Sequence, residues 1–256
     1  MQLSLLSRAA QPAELDFSGV RRMQLSGGAW VERIPGWLSD HVDLFECVRA
    51  AADWERHRRP MYDRVVDVPR LVAPLPGEAT LRWRDEECIQ TVPHEASEAE
   101  VQRVASRLRQ LSATLSRRYQ RALASISVAY YRDGRDSVAY HGDKLGVLRP
   151  NTVVAILSVG ARRRFLMRPR AGTAAVRARG TNEAAASAQL VSRPFGFSVG
   201  EGDLLVLGGS CQETWEHAVP KTKLAGPRIA VMFREALPQP ARSAQKADSE
   251  GSSVFG

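Results

Sequence analysis

Apolar residues recur at helical spacing in two stretches of the chain and at strand spacing in several more. Over residues 38–57, Leu38, Val42, Leu44, Phe45 and Val48 fall on roughly one side of a helix. Ser97 followed by Glu100 is a capping-box signal. Behind it Val101, Val104, Leu108, Leu111, Leu115 and Tyr119 repeat at three and four residues, which predicts a long amphipathic helix over 98–123. Ahead of the first helix, residues 27–37 (GGAWVERIPGW) read as turn, short strand, turn. From residue 125 the pattern changes. Stretches 125–131, 152–159, 163–167, 189–192, 203–207 and 228–233 are short β-rich runs, most of them separated by Gly, Pro, Asn or Asp. Helices first and many short strands afterwards predict an α+β fold, with a sheet pair closed into a jelly roll and the long helix of the N-terminal half supporting it.

The expected organisation is a loose lead-in over 1–25, one domain over 26–236 and a disordered tail over 237–256, which is rich in Pro, Ser, Ala and Gln. Residues 171–187 are small, polar and basic and read as a long exposed loop interrupting the strands. The longest apolar runs have strand length, so no membrane span is expected. The N-terminus lacks the apolar stretch of a signal peptide. Cys47, Cys88 and Cys211 are scattered without CxxC spacing, which argues against a zinc knuckle and a disulfide framework and fits a reducing, cytoplasmic setting. No protein partner is evident. Lys plus Arg number 36 against 28 for Asp plus Glu, a net charge of +8 that suits an anionic partner such as nucleic acid.

Candidate chemistry lies in AYHGDK, where His141 and Asp143 form His-x-Asp. On an extended segment residues two apart point to the same side, so both can reach one metal ion. A third ligand must come from another strand, and His217, between two strand-like segments, is the best candidate among the five histidines. Two histidines and one carboxylate on one face leave open positions, the ligand set of non-heme iron(II) oxygenases. Arg228 and Arg234 are six apart on a strand, so they share a face while Ile229, Val231 and Phe233 share the other. Two inward arginines need inward anions, and a dicarboxylate co-substrate and a metal-bound aspartate would supply them.

The order Tyr-x-Asp-Gly, His-x-Asp, distal His, Arg-x5-Arg resembles the AlkB family of nucleic-acid dealkylases. The matching segments are AYYRDGRDSVAYHGDK, VVAILSVGARRRFLMRP, GDLLVLGGSCQETWEHAVPKT and GPRIAVMFRE. The resemblance covers roughly residues 60–235 and is closest to bacterial members. It implies a double-stranded β-helix core over 125–236 and a nucleotide-recognition part over 26–124. It also implies iron(II), 2-oxoglutarate and dioxygen, and oxidative removal of N-alkyl groups from bases in DNA or RNA. Matched residue by residue, His141, Asp143 and His217 are the iron ligands. Arg228 pairs with the far carboxylate of 2-oxoglutarate, Arg234 lies near the metal-side carboxylate and Asp143, and Tyr131 donates to the co-substrate. Trp83, in LRWRD, stands where the family places its base-stacking aromatic, with the His141 ring on the other side of the base. Two departures stand out: Ala129-Tyr130-Tyr131 replaces Asn-x-Tyr, and Lys144-Leu145 follows Asp143 where an acidic residue is frequent.

Arg82, Arg84, Arg135 and Arg162–Arg164 flank these segments and are candidates to meet phosphates. Two other readings remain open from the residues alone. One is a 2-oxoglutarate oxygenase acting on a protein, lipid or small molecule; the other is a non-catalytic nucleic-acid-binding module on the same fold.

Overall fold

A computed structural model of the chain describes residues 15–61, 63–78, 87–143, 151–173 and 190–235. The strands are β1 (Arg21–Gln24), β2 (Ala29–Ile34), β3 (Trp54–Met61), β4 (Arg64–Asp67), β5 (Leu71–Pro74), β6 (Glu87–Val92), β7 (Ser125–Tyr131), β8 (Val138–His141), β9 (Val154–Gly160), β10 (Arg163–Pro169), β11 (Phe195–Val199), β12 (Asp203–Gly209), β13 (Trp215–Val219) and β14 (Arg228–Arg234). Among the described residues three α-helices join them: α1 (His41–Ala51), α2 (Glu98–Tyr119) and a single turn, α3 (Cys211–Thr214). The larger sheet runs β1-β2-β12-β9-β14-β7-β5-β3-β4 with β6 paired to β3, and the smaller runs β11-β10-β13-β8. The architecture is mostly antiparallel sheet with few helices. Among the described residues no helix is long and apolar enough to cross a membrane.

Two apolar layers follow from the alternation along the strands. On β14, Ile229, Val231 and Phe233 face α1 and α2, in the core that also takes Val101, Leu108, Leu111 and Leu115. Ala230 faces the other way, into a core shared with Phe165, Met167, Trp215 and Val219 of the smaller sheet. Arg228 and Arg234 lie on that second face, inside the cleft between the sheets, as their even spacing requires. Strand β9 is buried on both faces along nearly its whole length, which explains an apolar run broken only by Ser158 before the closing glycine. Each fully buried leucine of α2 contributes about 1.5–3 kcal/mol. The capping box forms as expected: the Ser97 side chain accepts from the Glu100 amide, and the Ser97 amide donates to the Glu100 carboxylate at 2.9 Å.

The structure corrects the element boundaries. Helix α1 ends at Ala51, and 54–57, read as its continuation, begins strand β3. Trp54 turns inward there and its Nε1 donates to the Arg49 carbonyl at 3.0 Å, closing the helix end. Val42, placed on the apolar side, is 62% exposed. Helix α2 stops at Tyr119 because Gln120 adopts a left-handed φ of 52°. Residues 190–192 make an isolated bridge, Val191 with Leu25, and the strand lies further on, as β11. Arg21–Gln24, within the expected lead-in, is a strand paired to β2. His217, expected between strands, sits inside β13. The expected loop at 171–187, apart from 171–173, the tail at 237–256 and Trp83 lie outside the described residues.

Candidate metal centre and co-substrate cradle

Strands β8 and β13 are antiparallel neighbours, and their register sets His141 directly opposite His217. Opposed residues share a face, so the two rings approach, with centroids 4.3 Å apart. Asp143 follows two residues after His141, and its Oδ1 lies 3.8 Å from the Nε2 atom of each histidine. One ligand atom from each of the three lies within 4.8 Å of the others. The three residues joined by sequence reasoning therefore converge.

Surrounding groups fix how each presents itself. His141 Nδ1 lies 2.9 Å from the Ala139 carbonyl, a contact that requires the proton on Nδ1 and leaves the Nε2 lone pair toward Asp143. The His217 ring stacks on Phe165, with centroids 5.1 Å apart and planes 14° from parallel. Arg234 Nε donates to Asp143 Oδ2 at 3.0 Å, and its Nη1 donates to Ser127 Oγ at 2.7 Å. One carboxylate oxygen is thus held by Arg234, and the other faces the two imidazoles. The Asp143 amide donates to Gln212 Oε1 at 2.8 Å. Gly142 is needed between the two ligands, because a Cβ there would stand 2.5 Å from Arg170 Nη2 and 2.6 Å from the Gln212 carbonyl oxygen.

Burial works against the charged form of Asp143, but Arg234 and the two histidines outweigh it and hold the carboxyl well below its usual range. Burial, reinforced by His141, brings the His217 imidazole down to about 3. Burial lowers His141 as well. At neutral pH the cluster is two neutral imidazoles and one carboxylate, the protonation state that a divalent ion requires. Nitrogen and oxygen donors without sulfur suit iron(II).

Deeper along the cleft, Arg228 stands opposite Tyr131 in the β14–β7 register, with its guanidinium carbon 5.2 Å from the centre of the Tyr131 ring. Arg228 is 1% exposed and donates through Nη2 to Ser158 Oγ at 2.7 Å. Its Nε and Nη1 are buried with no hydrogen-bond partner among the described residues. An unsatisfied buried guanidinium is costly, and a carboxylate that accepts two parallel hydrogen bonds is the group that fits it.

The arginines expected to meet phosphates divide. Arg163 is 3% exposed and donates to the carbonyls of Asp133, Asp136 and Pro220, so it is structural and out of reach of a phosphate. Arg162 pairs with Glu201 and Asp203, and Arg135 with Asp133. Arg164 is exposed, while Arg82 and Arg84, like Trp83, lie outside the described residues. Sequence reasoning missed Gln212, Gly142, Phe165, Ser158 and Ser127. Gly142, in the middle of His-x-Asp, was the one with a visible signal.

Fold and site define a class. Residues 31–240 match the family described as the 2OG-Fe(II) oxygenase superfamily, and the chain belongs to it. Its relatives place it with the AlkB family in that superfamily. Uncharacterized protein R406 of Acanthamoeba polyphaga mimivirus is 33% identical over 116 residues, 44% of this chain and 50% of that protein. The human alpha-ketoglutarate-dependent dioxygenase alkB homolog 3 is 26% identical over 92% of this chain and 77% of its own length. The Arabidopsis thaliana DNA oxidative demethylase ALKBH2 is 30% identical over 44% of this chain and 38% of its own length. The match thus spans half or less of the viral and plant proteins. Membership of that superfamily gives iron(II), 2-oxoglutarate and dioxygen as its cofactors, and His141, Asp143 and His217 are the candidate iron ligands.

Proposed function

We propose that this dioxygenase removes N-alkyl groups oxidatively from nucleobases in DNA or RNA, in direct reversal of alkylation damage. The observation that carries the reading is the convergence of His141 Nε2, His217 Nε2 and Asp143 Oδ1 beside a buried, under-bonded Arg228. In this reading His141, Asp143 and His217 hold iron(II), and Arg228 with Tyr131 holds the far end of 2-oxoglutarate. Together iron and co-substrate supply the oxidising chemistry at an alkyl carbon.

The chain's own residues do the positioning. Arg234 keeps Asp143 ionised and turned toward the metal. The Ala139 carbonyl fixes the His141 tautomer, and Phe165 walls off the inner face of His217 from water. Arg228 orients the co-substrate by a two-point contact that lysine cannot reproduce. The base would stack on Trp83, with His141 on its other side, and an alkylated base within a duplex must first be flipped out. The net charge of +8 supports an anionic substrate, as does the activity in the name of the plant relative, a DNA oxidative demethylase. We read the two facing sheets as a double-stranded β-helix within a single domain over 26–236, because the larger sheet runs unbroken from β14 through β7 and β5 into β3.

The test is turnover of iron-loaded protein with an N-methylated oligonucleotide at low salt, read as formaldehyde and unmodified base. Repair of methylated DNA or RNA supports the reading. Co-substrate turnover that methylated DNA and RNA both fail to stimulate would transfer the assignment to a substrate that is not nucleic acid.

A further inference from the structure

Strand β3 carries a second group of metal-ligating side chains, which the dioxygenase chemistry leaves unused. Glu55 and His57 are two apart on β3, and Cys88 on β6 stands opposite His57 in register. A register shift between Arg56 and His57 marks a local irregularity beside the pair. A carboxylate oxygen, an imidazole nitrogen and the thiol sulfur all lie within 4.8 Å of one another. Glu55 and His57 are 1% and 2% exposed, whereas Cys88 is open to solvent. The cluster is separate from His141, Asp143 and His217, which belong to the smaller sheet and the turn beyond it.

We propose that Glu55, His57 and Cys88 bind zinc(II) and clip β6 to β3. A thiolate with an imidazole and a carboxylate is a borderline-soft donor set that suits zinc, unlike the sulfur-free set of the iron site. Three protein ligands leave the fourth tetrahedral position for water on the exposed side of Cys88. The dication with one carboxylate and one thiolate sums to zero charge, which removes the cost of a buried carboxylate. His57 Nε2 and Glu55 Oε2 are 2.7 Å apart. Zinc bonds of about 2.0–2.1 Å at tetrahedral angles place such atoms about 3.3 Å apart, so the pair opens by roughly half an ångström and loses its shared proton as the metal enters. A cleft of about 470 Å³ lined by His57, Ile89, Arg132 and Lys221 gives an entry path.

The clip has a structural consequence. β6 is exposed at every residue and, among the described strands, pairs with β3 alone. A metal-mediated link from residue 57 to residue 88 closes the intervening segment and restrains the β3–β6 pair. Scattered cysteines exclude a zinc knuckle but not this arrangement, because strand pairing brings one cysteine to a histidine and a carboxylate that sequence spacing does not join.

Cobalt(II) titration of the full chain tests the site, since only a thiolate ligand gives a near-ultraviolet sulfur-to-cobalt charge-transfer band. Wild type should show the band, added zinc should abolish it, and zinc should raise the Tm. Cys88→Ser should lose the band and the zinc-dependent Tm rise, and bind one equivalent less, while iron-dependent 2-oxoglutarate turnover persists. Glu55→Gln should shift the titration to weaker binding. Absence of the band from wild type, or its persistence in Cys88→Ser, overturns the proposal.

Discussion

Arg163 and Arg228 both lie against the Tyr131 ring, with guanidinium carbons 5.7 and 5.2 Å from its centre, and both are buried, at 3% and 1% exposure. Their hydrogen bonds differ. Arg163 donates to three backbone carbonyls that tie the β7–β8 loop and the segment after β13 to β10. Arg228 has the Ser158 hydroxyl and the Tyr131 side chain beside it, while its Nε and Nη1 make no hydrogen bond among the described residues. Burial lowers the pKa of both guanidinium groups, so neither is a comfortable charge. The interior satisfies one of them and leaves the other for a ligand. Unsatisfied donors, more than burial or charge, set Arg228 apart as the proposed co-substrate end of the cleft.

The contrast yields crossed predictions. Arg228→Met removes a charge-assisted carboxylate pair of about 3–5 kcal/mol, so half-maximal 2-oxoglutarate should rise by roughly two to three and a half decades. The unfolding midpoint of the co-substrate-free protein should hold or increase, because an under-bonded buried charge is gone. Arg163→Met should do the opposite. Stripping three carbonyls of a charged donor costs about 1–3 kcal/mol for each in denaturant unfolding, with the 2-oxoglutarate requirement unchanged in the protein that folds. Equal effects of the two variants on the co-substrate titration would erase the distinction.

Gln212→Ala sharpens the comparison at the metal end. Its side chain links the Asp143 amide to the segment leading into β13, so its loss should weaken iron binding about 10–100-fold, the usual range for groups that orient metal ligands. Iron titration measures this, and an unchanged affinity would make Gln212 a packing residue. Acidification probes the same end. The folded His217 is neutral down to about 3, whereas the unfolded imidazole takes up a proton below about 6.5. The metal-free protein should therefore be most stable above pH 6.5 and lose stability as pH falls from there toward 3. The lowered Asp143 adds loss in the same direction below the ordinary aspartate value of 3.8. His217→Gln should flatten the upper part of that slope in denaturant unfolding measured across pH. The smallest effect expected is for Ser97→Ala, about 1 kcal/mol from the lost cap, with iron and 2-oxoglutarate binding unaltered.

Local pattern alone specified the long helix with its capping box, the alternation that turns Arg228 and Arg234 away from Ile229, Val231 and Phe233, and the shared side of His141 and Asp143. These are consequences of helical and strand periods within one segment. Tertiary structure decided which segments meet. His217 faces His141 because β13 pairs with β8 in that register, and strand pairing rests on hydrogen bonds between residues far apart in sequence. The same physics turned Arg163, read from sequence as a candidate phosphate contact, onto three backbone carbonyls. It also placed 54–57 in a strand, because β6 and β5 pair with that segment and override its helical spacing. Periodicity says which face a side chain takes; only the packed sheets say what waits on that face.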